Sequence, residues 1–155
     1  MKAIHRFHLV LLSTLALCTD TSIAQAGMAK CNVTPTTRGA VANSDLRVLL
    51  PNRGHFLFRP GGPGFITSEG ALGIKILWER LVDGELHVIG KRLDGDALPL
   101  RFETNNSNGK PGIQPSYLVF PKTGCWEITA WIDNKPLSVV VLVEKKGSGP
   151  TWKRD

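Results

Sequence analysis

Beyond residue 26, the side chains able to do chemistry are Cys31, Cys125, His55, His87 and scattered carboxylates, and their spacing decides which chemistry is open. A pair of cysteines has one internal connectivity, so, given the export that the N-terminal pattern described below predicts, Cys31 and Cys125 are expected to form a disulfide that closes most of the domain. A nucleophilic Cys125 with His87 or His55 as base has no local signature. Neither histidine belongs to a cluster spaced as a closed metal site, so no metal or cofactor is expected. His87 follows Asp83 and Glu85, and a histidine with a nearby carboxylate is the one arrangement here that could serve a hydrolase. Asp94 and Asp96 flank Gly95 and read as turn chemistry, with too few oxygen ligands for calcium. The loop Arg59-Pro-Gly-Gly-Pro-Gly64 lacks the Gly-Lys-Ser/Thr ending and the following helix of a phosphate cradle, and reads as a rigid surface loop. Gly-x-Ser-x-Gly and His-Glu-x-x-His are both absent.

The tryptophans point to binding. Trp78 and Trp126 fall on apolar faces and are expected in the core, whereas Trp131 falls with Glu127 and Thr129 on the polar side of its strand. A large ring on a rigid strand is a platform for a partner at low entropic cost, so Trp131 is the candidate partner-binding residue; the competing reading is a ring covered by a second sheet or a loop.

The elements that must position these residues read as strands. Trp126, Ile128, Ala130 and Ile132 alternate with polar neighbours. Asp133, Asn134 and Lys135 turn the chain, and Leu137, Val139, Val141 and Val143 resume the alternation, predicting a C-terminal hairpin. Residues 113–120 lead into this hairpin; Pro121 ends their apolar run, Tyr117 to Phe120, and Gly124 lets the backbone turn into the next strand. Upstream, short strands are expected at residues 46–50 and 55–59, separated by a turn cluster of hairpin length, and at 73–79 and 85–91 as a second hairpin closed by Asp83-Gly84. Residues 98–102 carry Pro99 and suit an edge strand, and 104–112 form a long polar loop. Seven or eight short strands without a helical apolar stripe predict an all-β, antiparallel sandwich of immunoglobulin-like type. Tyr117 stands eight residues before Cys125, so the antibody-type tyrosine corner is missing.

At the N-terminus, Lys2, His5 and Arg6 precede an apolar run at residues 9–17 and the small-residue site Ala24-Gln-Ala26, the three-part pattern of a secretory signal peptide. Cleavage is expected before Gly27, with a cut after Ala24 as the second choice. The run is too short to span a membrane, which takes roughly 20 apolar residues. Leu17, a large residue, precedes Cys18, so lipoprotein anchoring through Cys18 is not expected. This divides the chain into a signal peptide (1–26), an extended N-terminal arm (27–45), a β-sandwich domain (46–146) and a flexible tail (147–155). The formal net charge of +6 is scattered rather than clustered; it favours contact with anionic envelope polymers without conferring specificity, and no nucleic-acid motif accompanies it.

Five stretches together resemble a family of small exported bacterial proteins with an immunoglobulin-like sandwich: Cys-Asn-Val-Thr at 31–34, Gly-Pro-Gly-Phe at 62–65, Leu72 with Lys75 and Trp78, Gly-Lys-Arg-Leu-Asp at 90–94, and Phe-Pro-Lys-Thr-Gly-Cys-Trp-Glu at 120–127. Glu79-Arg80 stands where an aromatic pair is common in that family, and Trp131 where glycine is usual. The resemblance implies a fold and an exported location, and no activity. The expectation is therefore a non-catalytic exported sandwich that binds an envelope polymer or a protein. The alternatives are a cell-envelope hydrolase using His87 with Glu85 or Asp83, and a weak metal-binding protein.

Overall fold

The computed structural model describes residues 30–105, 109–147 and 153–154. The expected leader with Cys18, and Trp152, lie outside them. The longer strands form where apolar and polar residues alternate, because a pleated strand sends successive side chains to opposite faces. In the larger sheet β2 (Leu46–Leu49), β5 (Leu72–Arg80), β8 (Gly112–Phe120) and β7 (Arg101–Thr104) lie side by side and antiparallel. Short β1 (Ala40–Ala42) flanks β2, short β4 (Phe65–Thr67) flanks the start of β5, and β11 (Lys153–Arg154) runs parallel to β4. The smaller sheet has the order β3 (His55–Phe58), β10 (Lys135–Lys145), β9 (Gly124–Ile132) and β6 (His87–Arg92).

Naming strands β2, β5, β6, β7, β8, β9 and β10 as A to G gives A-B-E-D packed on C-F-G, the constant-type immunoglobulin order. The chain is thus the expected all-β immunoglobulin-like sandwich. Between the sheets, Ile76, Trp78, Leu118 and Phe120 of one meet Phe56, Trp126, Ile128, Ala130, Val139 and Val141 of the other, all essentially inaccessible to water. The two core tryptophans are buried as expected. Trp126 donates its indole N–H to Lys122 O at 3.1 Å and Trp78 donates to Ser116 Oγ at 2.9 Å, so neither polar handle is left bare.

Several sequence expectations need correction. The pair at residues 46–50 and 55–59 is not a hairpin: β2 joins the larger sheet, and β3 pairs in parallel with β10 of the smaller one. Between them Pro51–Gly54 forms a 3-10 turn in which Asn52, Arg53 and Gly54 all have left-handed φ, which swings the chain from one sheet to the other. The sandwich is accordingly not wholly antiparallel. Likewise β5 and β6 face each other across the core instead of pairing, because alternation shows which residues share a face and leaves sheet membership open. Arg80, buried at the end of β5, ties this crossover by donating to Gly84 O at 2.8 Å and to Lys110 O. The edge strand expected at 98–102 begins only at Arg101. The arm at 27–45 contains β1, and Lys153–Arg154 in the expected tail contributes β11. Among the described residues, all eight strands of four residues or more were expected. The three additional ones are two or three residues long.

Candidate functional site

The outer face of the smaller sheet carries Trp131, and strand register decides what surrounds it. Trp131 on β9 stands opposite His87 on β6 and Pro136 on β10; the next row is Ile89, Thr129 and Ser138, and the next Lys91, Glu127 and Val140. The His87 ring stacks on the Trp131 ring with centroids 5.5 Å apart and planes 22° from parallel. Trp131 is half-buried by this contact, His87 is exposed, and Ile89 beside them is 58 % exposed. Thr129 and Ser138 share a hydroxyl hydrogen bond of 2.8 Å, and Lys91 pairs with Glu127 at 3.0 Å. The face is therefore an aromatic and aliphatic platform bordered by hydroxyls and one ion pair.

Neither alternative gains support here. His87 lies on an open sheet face against an indole, and among the described residues no hydrogen bond or ion pair joins it to Glu85 or Asp83. Asp83 instead lies 3.8 Å from Lys110. His55 begins β3 at the far side of the sheet. Among the described residues no group of three or more His, Cys, Asp or Glu side chains could hold a metal ion. Asp94 pairs with Arg92 at 2.8 Å, as a turn residue rather than a ligand.

Both ends of the platform are fixed. At one end Cys31 and Cys125 are bonded, with Cα atoms 5.4 Å apart. The arm then runs beside β10, where Thr34 N–H donates to Val140 O at 3.0 Å and Val140 N–H to Thr34 Oγ1 at 2.7 Å. Six residues along β9, about 20 Å in an extended strand, bring the chain to Trp131 at the other end. There the turn before β2 is tied to the β9–β10 turn: Asn43 Nδ2 donates to Lys135 O, and Asp45 Oδ1 accepts from Ser44 Oγ at 2.6 Å and from Lys135 Nζ at 3.1 Å. The Ser44 hydroxyl and then the Lys135 ammonium hold the Asp45 carboxyl below the usual carboxylate range.

Three of the five stretches singled out in the sequence, at 31–34, 90–94 and 120–127, meet near the disulfide. The Arg92–Asp94 ion pair lies against Gly124, where a Cβ would come within 2.5 Å of both Arg92 Nε and Asp94 Oδ1, and Gly124 has φ 133°. Leu93 N–H donates to Cys125 O at 2.7 Å. These residues have a structural reason to occur together.

The opposite face carries residues that no local pattern in the sequence brings together. On the outside of the larger sheet, register places Leu49, Leu77 and Pro115 in one row, Lys75 and Tyr117 in the row on one side, and Arg47, Glu79 and Ile113 in the row on the other. Two grooves of about 790 and 420 Å³ share Arg38 and Leu49, and Lys75 lines the smaller one. Farther along this face Phe65 lies across Gly73 and meets Tyr117 edge-on at 5.4 Å, forming a separate apolar cluster with Val119 and Ala71. The only sequence signal for this face was the weak alternation of β5 and β8, which does not reveal that β2 completes the row. Comparison of the chain with family models, with curated proteins and with solved structures finds no match.

Proposed function

We propose that the protein is a non-catalytic sandwich that acts outside the cytoplasm and binds an envelope polymer or protein through the outer face of the smaller sheet. The Trp131–His87 stack beside exposed Ile89 carries this reading: a rigid, partly desolvated aromatic surface on a central strand is the arrangement expected of a binding anchor. Its hydroxyl and ion-pair border supplies directional contacts around the apolar centre. Placement outside the cytoplasm is supported by the Cys31–Cys125 bond and by the leader-like pattern of residues 1–26.

The test is retention of envelope fractions on immobilised wild-type protein, on Trp131→Ala and on Lys75→Glu, a charge reversal on the opposite face. Wild type and Lys75→Glu are expected to retain the same component, with at least about a tenfold loss for Trp131→Ala, in the range of an aromatic anchor. Equal recovery by all three proteins would remove Trp131 from the site.

A further inference from the structure

We propose that the outer face of the larger sheet binds a single-chain fatty acid, with the carboxylate held between Arg38 and Lys75 and the chain laid along the row Leu49, Leu77 and Pro115. The smaller groove there is lined by Arg38, Gly39, Leu49, Leu50, Pro51, Lys75 and Leu77, so its floor is apolar, and among the described residues its charges are two cations with no acid. Among the described residues neither Arg38 nor Lys75 has an ion-pair partner, whereas neighbouring Arg47 is paired with Glu79 at 2.7 Å. Cations left unpaired beside an apolar groove are complementary to an anionic amphiphile, and a guanidinium fork matches a carboxylate in particular.

The floor also selects the kind of chain. Leu49 and Leu77 belong to the paired strands β2 and β5 and line the groove, and Pro115 of β8 continues their row across the sheet beyond it. An acidic peptide would need main-chain partners that these paired strands do not offer it. An acyl chain needs none and gains from apolar contact alone. The groove of about 420 Å³, which shares Arg38 and Leu49 with the one of about 790 Å³, falls in the size range of small-molecule sites. Leu49, 38 % exposed, supplies apolar surface to it.

The experiment titrates the protein with dodecanoate, decanoate, decan-1-ol and acetate below micellar concentrations, reading dissociation constants and backbone amide shifts. Dodecanoate should bind saturably and shift amides of β2, β5 and β8. It should bind at least about fourfold tighter than decanoate, each methylene in an open groove contributing about half the free energy of full burial. Acetate and decan-1-ol should bind more weakly than either acid. Lys75→Glu should weaken dodecanoate by about tenfold through charge reversal beside the head group. Arg38→Asn, which tolerates the left-handed φ of 52° at that position, is the second variant and should act in the same direction. Trp131→Ala should leave dodecanoate affinity unchanged, so this site and the one on the smaller sheet fail independently. Absence of saturable binding, equal affinity for the two acids, shifts confined to the Trp131 face, or full affinity in folded Lys75→Glu and Arg38→Asn would each overturn the proposal.

Discussion

The outer faces of the two sheets share one construction rule and differ in how they are finished. Each belongs to strands whose other side is core, so both must carry polar residues among their apolar ones. On the smaller sheet the exposed apolar groups gather around Trp131, and the arm, through the disulfide and Thr34, is laced to the strands beside it. On the larger sheet the apolar groups spread into a row with grooves, and the stabilising device is Phe65 folded across Gly73. One face is clamped from outside by covalent chemistry and the other is sealed by an aromatic ring. Damage to one should therefore leave the other standing.

The disulfide should give the largest effect. Its 94-residue separation places its contribution on the order of 4–5 kcal/mol in the chain-entropy model. Cys31→Ser, or reduction, should lower the urea midpoint accordingly, with β circular dichroism intact below the transition and the Phe65–Tyr117 cluster undisturbed in methyl NMR spectra. An unchanged midpoint would show that Thr34 and its neighbours hold the arm without the bond. Next comes Gly73→Ala, whose Cβ would fall 2.1 Å from the Phe65 ring. The ring must move, and the cost expected for overpacking is about 1–3 kcal/mol. Chemical shifts on the larger sheet should change while those of His87 and Trp131 persist; the reverse pattern would mean that the faces are coupled.

Asp45 should give the smallest effect. Its carboxyl pKa is lowered in the folded state, so its contribution is present above the unfolded-state value of 3.8 and is lost as pH falls through the lower folded value. Asp45→Asn should thus be less stable than wild type at neutral pH, with the difference closing below about pH 4. Chemical denaturation at pH 7 and pH 3 checks this. A gap that persists unchanged at pH 3 would assign the loss to packing rather than to the ion pair with Lys135.

Reading the sequence reached the faces of this molecule more surely than its pairings. The C-terminal hairpin was legible because Asp133 and Asn134 leave only two residues between Ile132 and Lys135, and so short a link confines the strands to one sheet. The links at Pro51–Gly54 and at residues 81–86 admit either a hairpin or a crossing, and both cross. The side on which Trp131 lies was readable because it shares the parity of Glu127 and Thr129, in alternation with Trp126, Ile128 and Ala130, but its stacking on His87 depends on a β6–β9 register set by the whole fold. Ala40–Ala42 and Phe65–Thr67 are too short to show a period at all. The groove under Arg38 and Lys75 was invisible for a further reason: it joins residues from β2 and β5 with a turn residue before β1, and no local pattern spans them.

Whether the protein works through the Trp131 face is decided by photo-crosslinking in cells that produce it from its full sequence. A photoreactive residue would replace Ile89, which stands exposed beside the His87–Trp131 stack, and, in a separate protein, Lys122 on the loop beyond β8 as a control position. A discrete crosslinked envelope species is expected from position 89 that disappears when Trp131→Ala is added, and none from position 122. Crosslinks of equal yield from both positions, or a position 89 species that persists in Trp131→Ala, would contradict it.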